Sequence, residues 1–387
     1  MKLLITSIDA LIDNLTEDYF DGIKEALDYF ESLNEDNTVV IISIHQDRLD
    51  AIPNDFEKVC VNANYRRGTG LIQYINNKIK INFSDILILG AKEDDLFLAA
   101  NSKLVLLTAD YARENNPDDK LYTYRYGIGI LSPARLRYFF EHFLNINNPW
   151  YYRLKVDDST ELYGLTNAMT NMELNPDVKA IGNSLKGFLK SGITEFKNPF
   201  LIYSLISAYQ NHSEFNEINY WGYYPSSTGK ENEVLKTFKE VLRKTFSSSR
   251  KTDDILIRHK PSAARKNMSA AERISNGCNS EFDTIILNPV YKHLLRGKNV
   301  CIIDDYTTHG SSCETVRKLL KKAGVNKIIF IALGKFKVDY KIYDYEIDGD
   351  VYKVGYTYKC SGEFTAVRGT INPDYKTNLI ESLNHLL

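Results

Sequence analysis

Long apolar runs and paired cysteines are scarce in this sequence of 387 residues. The longest apolar runs, such as residues 39–44, have the length of a strand and fall far short of the about 20 residues that cross a bilayer, so no membrane helix is expected. The N-terminus meets an acid at Asp9 before an apolar stretch of signal-peptide length develops. The five cysteines are scattered and lack metal-binding spacing, which favours a reducing, cytoplasmic location.

A strong excess of charge is also absent. The 48 Lys and Arg residues nearly balance 50 Asp and Glu residues, which gives a net charge of −2. A nucleic-acid coat protein would be strongly basic, so direct binding of nucleic acid is not expected. Hydrophobic residues make up 43% of the chain, as in globular proteins. The length is about two to three times that of the commonest domain, so two domains are expected.

Short apolar runs alternate with amphipathic stretches in the first part of the chain, which predicts βαβ units and a parallel sheet. The Asn- and Pro-containing segment 146–152 then predicts a domain boundary. We predict a first domain over residues 1–148, a mostly helical connector or hood at 149–216, and a second doubly wound α/β pattern over 217–387. The expected fold class is α/β, with two doubly wound parallel-sheet domains joined by a helical segment.

The last domain is expected to contain strands near 254–258, 283–288, 299–305 and 327–333. Residues 340–368 alternate aromatic and polar side chains, which predicts antiparallel strands. A closing helix is predicted at the C-terminal end of the sequence.

The most informative stretch is residues 301–315, in which an apolar strand ends in Asp304 and Asp305 and a hydroxyl-rich turn precedes a helix. The turn consists of Thr307, Thr308, His309, Gly310, Ser311 and Ser312. Main-chain N–H groups and hydroxyls at a helix N-terminus favour an anion, which predicts a phosphate site. The two acids suit the hydroxyls of a neighbouring ribose and a hydrated Mg²⁺. The alternative is a turn that only caps the helix.

This stretch resembles the signature of the type I phosphoribosyltransferases, which has a hydrophobic strand, two acids and a Thr-Thr-Gly-x-Thr/Ser turn. Thr308, Gly310 and Ser312 match that pattern, whereas His309 stands where the family has Thr. The resemblance implies that the acids are catalytic residues that contact the ribose of 5-phosphoribosyl-1-pyrophosphate (PRPP) and, through water, Mg²⁺. It also implies that residues 307–312 bind the 5′-phosphate.

Two nearby segments support this resemblance. A predicted strand at 218–224 leads into a small-residue turn with Lys230, and in relatives the corresponding loop binds pyrophosphate. Residues 258–273 carry five Lys or Arg against one acid, which fits a polyphosphate ligand or, alternatively, a solvated loop. In its layout this region looks like the ComF-like branch of the family. The pyrophosphate-binding residues expected are Lys230, Lys260 and Arg265.

Residues 2–107 resemble haloacid-dehalogenase-like (HAD) hydrolases, through residues 2–13, the strand that ends in Ser43, and residues 89–107. Active members carry Asp-x-Asp at the end of the first strand, where the first Asp attacks phosphorus. Here that position reads Ser7-Ile8-Asp9, so the attacking carboxylate is missing.

Other elements of the HAD pattern are eroded as well. Ala91 replaces an expected metal-binding acid, and Arg67 is the nearest candidate for the usual Lys. The resemblance therefore implies a HAD-like module without phosphatase activity, in which Asp9 and Asp95 are weak candidate metal ligands.

The leading hypothesis is a PRPP-dependent phosphoribosyltransferase with Mg²⁺ as cofactor, fused to a degenerate HAD-like domain. A second hypothesis is a non-catalytic sensor of PRPP or a related phosphorylated ribose or nucleotide. A third, on analogy alone, is an effector or accessory protein of a bacterial stress-response or antiphage system. The sequence identifies no acceptor, and it leaves a protein partner or a homo-oligomer open.

Overall fold

The computed structural model describes residues 1–113, 126–144, 146, 148–170, 176–191, 197–246, 249, 251–262, 272, 276–372 and 374–386. The chain divides into two compact units. The first contains Met1–Asn147, Ala208–Asn216 and Lys244–Ser248, and the second contains Asn148–Ser207, Glu217–Arg243 and Ser249–Leu387. The segment predicted as a connector is thus shared between the two units. None of the described helices is both long enough and apolar enough to cross a membrane.

The first unit is built on six parallel strands in the order β3-β2-β1-β4-β5-β6. These strands are β1 (Leu3–Ser7), β2 (Thr38–Ser43), β3 (Glu57–Cys60), β4 (Ile86–Gly90), β5 (Val105–Ala109) and β6 (Ile128–Ile130). Every residue of β1, β4 and β5 is buried. Continuous apolar runs of this kind are typical of parallel strands that are covered on both faces.

Helices cover the faces of this sheet. They are α1 (Ile23–Ser32), α2 (Gln46–Ala51), α3 (Ala63–Arg67), α4 (Gly70–Ile79), α5 (Glu93–Ser102) and α6 (Pro133–Phe143). In α1 the buried residues recur at the helical spacing of three and four: Ile23, Ala26, Leu27 and Phe30. Phe30 packs on Phe140 of α6, with ring centroids 5.0 Å apart, so the two helices share one apolar face.

The second unit has a six-stranded sheet in the order β16-β7-β8-β13-β12-β9. Its strands are β7 (Tyr152–Asp157), β8 (Thr160–Asn167), β9 (Tyr220–Tyr223), β12 (Asn299–Thr307), β13 (Lys327–Lys335) and β16 (Thr370–Ile371). The four strands from β8 to β9 in this order are parallel, whereas β7 and β16 run antiparallel to their neighbours. The sheet is therefore mixed, with a parallel centre.

Two antiparallel ribbons and several helices complete the chain. The ribbons pair β10 (Leu256–Arg258) with β11 (Ile285–Leu287), and β14 (Tyr340–Asp348) with β15 (Thr357–Val367). The remaining helices are α7 (Pro176–Lys190), α8 (Lys197–Gln210), α9 (His212–Phe215), α10 (Glu233–Phe246), α11 (Asn279–Phe282), α12 (Ser311–Lys322) and α13 (Tyr375–Leu386). The antiparallel strands predicted at 340–368 and the closing helix are confirmed.

Two predictions of secondary structure are wrong. Residues 152–167 are not helical but form β7 and β8, and β7 buries every second residue, at Tyr152, Leu154 and Val156. That alternation places one face of the strand in the core. The strands β10 and β11 do not join the parallel sheet but pair only with each other among the described residues.

Candidate functional site

The predicted phosphate turn lies at the carboxyl end of the parallel strands of the second unit. β12 pairs with β13 as far as Thr307, whereas β9 ends opposite Ile303. Beyond Ile303 the strand therefore has a neighbour on one side only, and the turn follows directly. Gly310 closes the turn with a φ of +84° and serves as the N-cap of α12. The order of strand, acids, turn and helix is as the sequence predicts.

Every main-chain carbonyl from Thr307 to Ser311 accepts a hydrogen bond from within the protein. The donors are Phe336 N to Thr307 O (3.0 Å), Lys335 Nζ to Thr308 O (2.9 Å), Lys341 N to His309 O (2.9 Å), Glu314 N to Gly310 O (2.8 Å) and Thr315 Oγ1 to Ser311 O (3.0 Å). The main-chain carbonyls of the turn are thus all engaged inside the fold.

Most main-chain N–H groups of the turn, unlike its carbonyls, have no hydrogen-bond partner among the described residues. Those of Thr308, Gly310, Ser311, Ser312 and Cys313 donate no hydrogen bond to any group in the described ranges of the chain. They stand at the start of a helix of 12 residues, where the macrodipole is positive. Consecutive unpaired N–H groups in this position form an anion-binding nest.

A tyrosine explains why the turn needs glycine at its end. A Cβ atom on Gly310 would lie 2.1 Å from Cε2 of Tyr340. The Tyr340 ring is fully buried, and its hydroxyl donates a hydrogen bond to Glu314 Oε1 at 2.8 Å. The ring therefore fills the space on one side of Gly310 and fixes the turn against β14.

The two acids are brought to the foot of the turn, but they point to opposite faces of β12 because side chains alternate along a strand. Asp304 is only 6% exposed. Burial raises the pKa of Asp304 well above its usual range, and the adjacent charge of Asp305 raises it further. Asp305 is half-buried and forms an ion pair with Lys190 at the end of α7. Asp304 is therefore buried with a raised pKa, whereas Asp305 is engaged by a lysine.

A buried polar cluster that sequence reasoning missed stands close to Asp304. Tyr224 donates a hydrogen bond to Glu281 Oε2 at 2.6 Å, and Arg258 donates to the same oxygen at 2.8 Å. Burial raises the pKa of the Tyr224 hydroxyl, with further contributions from the charges of Glu281 and Asp304. The only sign of this cluster in the sequence is the arginine that ends the predicted strand, Arg258. Its partner, Glu281, lies 23 residues further on.

Of the three predicted pyrophosphate-binding residues, two lie on exposed turns and the third lies outside the described residues. Lys230 is exposed in the turn after β9, where its carbonyl accepts a hydrogen bond from Ser226 Oγ at 2.7 Å. Lys260 is exposed two residues after β10. Arg265 lies outside the described residues.

The corresponding end of the first unit is closed by internal contacts. Ser7 ends β1, and its hydroxyl donates to Asp95 Oδ2 at 3.0 Å. The same oxygen accepts the main-chain N–H groups of Ala91 (2.9 Å) and Lys92 (3.0 Å). Arg66 forms an ion pair with the other oxygen of Asp95. Both oxygens of the fully buried Asp95 carboxylate are thus already bonded to groups of the protein.

Asp9 is held in a similar way. Arg48 Nη1 lies 3.0 Å and Lys92 Nζ 2.9 Å from Asp9 Oδ1. Burial acts to raise the pKa of Asp9, but the charges of Lys92 and Arg48 outweigh burial and lower it. The buried arginine of this region is Arg66, whereas Arg67, the predicted counterpart of the family's Lys, is exposed and pairs with Asp94 at 2.6 Å.

Neither end of a sheet offers a cation a set of free carboxylates. In the first unit, Asp9 and Asp95 are neutralised by basic side chains. In the second, Asp304 is buried with its pKa raised by burial, and Asp305 is paired with Lys190. No cluster of three or more His, Cys, Asp or Glu side chains among the described residues could hold a metal ion. These donor sets do not fit a directly bound Mg²⁺.

We predict that Ser7→Asp restores no phosphatase activity and lowers the free energy of unfolding by about 2 kcal/mol. The new carboxylate would stand beside the buried Asp95, which already accepts bonds on both oxygens. Urea unfolding and hydrolysis of p-nitrophenyl phosphate measure the two effects. Ser7→Ala, which loses a single hydrogen bond worth about 1 kcal/mol, is the control. Turnover by Ser7→Asp would contradict the closed site described here.

Comparisons with known proteins add little to this geometry. No protein-family model matches the chain, and no curated protein matches it. Among solved structures, the chain is similar to the D,D-heptose 1,7-bisphosphate phosphatase from Burkholderia thailandensis, with 16% identity over 38% of this chain and 100% of that chain and a TM-score of 0.26. At that score the likeness carries no argument about activity.

Proposed function

We propose that the second unit binds PRPP, with the 5′-phosphate seated on the N–H groups of the turn from Thr308 to Ser312. The observation that supports this most directly is the asymmetry of the turn: its carbonyls are paired inside the fold, whereas the N–H groups of Thr308, Gly310, Ser311 and Ser312 have no acceptor among the described residues. A phosphate monoester is a dianion rich in acceptors and carries no donor that would need the carbonyls. Asp305, beside the turn, suits the ribose hydroxyls.

In this proposal Asp305 accepts hydrogen bonds from the ribose, and Lys190 gives up its ion pair when the sugar binds. Asp304 is buried against the strand and supports Asp305 through a hydrogen bond from Asp305 N to Asp304 Oδ1 at 2.8 Å. The exposed Lys230 and Lys260 are available for the pyrophosphate. Arg265 stays a candidate from the sequence alone, because it lies outside the described residues. Because the acids do not fit a directly bound Mg²⁺, none of their oxygens is assigned as a metal ligand.

Transfer of the phosphoribosyl group to an unidentified acceptor is the first candidate activity. Binding without turnover, as in a sensor, is the second, because Asp304 is buried and Asp305 is paired with Lys190. For the first unit we propose a HAD-like module that lacks phosphatase activity. The five cysteines are free, which supports a reducing cytoplasmic location.

We predict that PRPP binds to the wild-type protein and at least about tenfold more weakly to Ser312→Asp, as measured by titration calorimetry. Ser312 is half-buried in the first turn of α12, where an acid favours the helix but repels a phosphate. Ser312→Asn is the matched neutral control and should bind within a few-fold of wild type.

A parallel assay separates the two candidate activities. Release of pyrophosphate from PRPP, screened over bases and nucleosides with Mg²⁺ present, would indicate transfer. Binding without release, lost in the double variant Asp304→Asn/Asp305→Asn, would indicate a sensor. If PRPP gives no heat at millimolar concentration, or binds equally to Ser312→Asp, the phosphate site is wrong.

A further inference from the structure

A buried lysine stands directly behind the phosphate turn. Lys335, at the end of β13, has no exposed surface, and its ammonium group donates to three carbonyls: Thr308 O (2.9 Å), Phe336 O (2.6 Å) and Val338 O (2.8 Å). Its Nζ also lies 4.8 Å from the ring centroid of Tyr152. No carboxylate among the described residues forms an ion pair with it. Buried ammonium groups are usually paired with an acid, so this one leaves a positive charge unneutralised.

The hydrogen bond from Lys335 to the carbonyl of Thr308 orients the peptide unit between Thr308 and His309. A peptide unit is planar and trans, so its C=O and the following N–H point in opposite directions. Because Lys335 draws the carbonyl of Thr308 towards itself, the next N–H, that of His309, is directed away from the lysine. The carbonyl of His309 accepts a hydrogen bond from Lys341 N, and that of Gly310 accepts one from Glu314 N. By the same rule, the N–H groups of Gly310 and Ser311 point away from these donors.

We propose that Lys335 is a positioning residue of the phosphate turn, which holds the carbonyl of Thr308 inside the fold and supplies the positive charge that a phosphate monoester dianion neutralises. This inference rests on the proposed phosphate site. It adds a residue that is distant in sequence from the turn and that makes the affinity of the turn dependent on the protonation of one amine.

The surroundings of Lys335 make that dependence measurable. Burial lowers the pKa of Lys335 to about 8, while the nearby Cys313 and Asp339 act in the opposite direction. Burial raises the pKa of the Cys313 thiol, and burial raises that of Tyr152 to about 12. The ion pair with Arg368 lowers the pKa of Asp339. None of these three neighbours titrates between pH 7.5 and 9.5.

Two further groups face the turn from the start of β14 and from the turn itself. Burial lowers the pKa of Lys341, whose N–H bonds the carbonyl of His309. The ring of His309 contacts Asp339 O at 3.2 Å. A phosphate monoester completes its second ionisation below about pH 7.5. A variant of Lys335 separates its own contribution from that of Lys341.

The sign of the pH dependence is opposite for binding and for stability. A lysine whose pKa is lowered on folding binds fewer protons in the folded state, so the unit without ligand gains stability as pH rises from about 8 towards 10.4. Affinity for a dianion falls over the same range, by up to about tenfold per pH unit, because the charge behind the turn is lost. A lysine with only a structural role would change stability and leave affinity unchanged.

The test is titration calorimetry with ribose 5-phosphate from pH 7.5 to 9.5 on the full chain. Wild type should bind and lose affinity above about pH 8. Lys335→Gln, which keeps donors but carries no charge, should bind at least about tenfold more weakly at pH 7.5 and show no such pH dependence. Lys337→Gln is the matched control, since Lys337 is exposed two residues further on, and it should behave as wild type.

The outcomes separate this inference from the proposed function. If wild type binds ribose 5-phosphate and Lys335→Gln binds equally with the same pH profile, the role of Lys335 is wrong and the phosphate site stands. If wild type does not bind the sugar phosphate at any pH, both the phosphate site and the role of Lys335 are wrong. If Lys335→Gln does not fold, the wild-type profile decides, and a flat profile between pH 7.5 and 9.5 overturns the inference.

Discussion

Replacing Gly310 by alanine should lower the free energy of unfolding of the second unit by about 3 to 4 kcal/mol and abolish phosphate binding. Two costs add at this position. A left-handed backbone costs a residue with a Cβ about 1–2 kcal/mol, and overpacking in a filled interior costs about 1–3 kcal/mol more. The overlap is with the buried Tyr340 ring, 2.1 Å from the new atom, so neither partner can move into free space. Urea unfolding followed by tyrosine fluorescence measures the loss.

Gly297→Ala is the matched control for this prediction. Gly297 also has a positive φ, of +67°, but a Cβ there would meet no atom within 4 Å. It should cost only the backbone term of about 1–2 kcal/mol. Equal losses for Gly297→Ala and Gly310→Ala would show that the Tyr340 ring does not press against the turn.

Removing the charge of Arg317 should destabilise the second unit by about 3–5 kcal/mol, because it leaves a buried carboxylate without its partner. Arg317 holds both oxygens of Glu314 at 2.6 Å, and Glu314 has no exposed surface. Its third nitrogen donates to Asp157 at 2.8 Å. Arg317→Met, followed by urea unfolding, tests this. Since Glu314 also anchors the Tyr340 hydroxyl, the variant should weaken phosphate binding as well.

Lys321→Met is the control, because Lys321 pairs with the same Asp157 from a side chain that is 38% exposed. An exposed pair of this kind contributes about 0–1 kcal/mol. The double variant Glu314→Gln/Arg317→Met should lose less than the sum of the two single variants, since it removes both charges together. Additive losses would contradict a direct pair.

The sequence predicts most of the architecture because both sheets have continuous apolar strands at their centres. β12 and β13 both begin at the predicted residue, because a polar residue bounds each apolar run. The failure at residues 152–167 has a physical reason. β7 alternates buried and exposed residues over only six positions, and such a short pattern competes with the stronger helical pattern of α7 further on.

The local chemistry of the phosphate turn is predictable, but its tertiary partners are not. The acids, the glycine and the helix start are neighbours in sequence, so their order alone indicates an anion site. Tyr340 and Lys190 reach the same place from 30 and 115 residues away, and nothing in their own surroundings marks them. In the first unit the serine at position 7, where the predicted family has Asp, is visible in the sequence, whereas the pairing of Asp95 with Arg66 is not.

A crystal structure of the protein grown with PRPP tests the central claim most directly. We predict density for the 5′-phosphate within hydrogen-bonding distance of the N–H groups of Gly310, Ser311 and Ser312, with the ribose beside Asp305 and the ion pair to Lys190 broken. A phosphate bound elsewhere, or a turn that stays empty at saturating PRPP, would contradict the account.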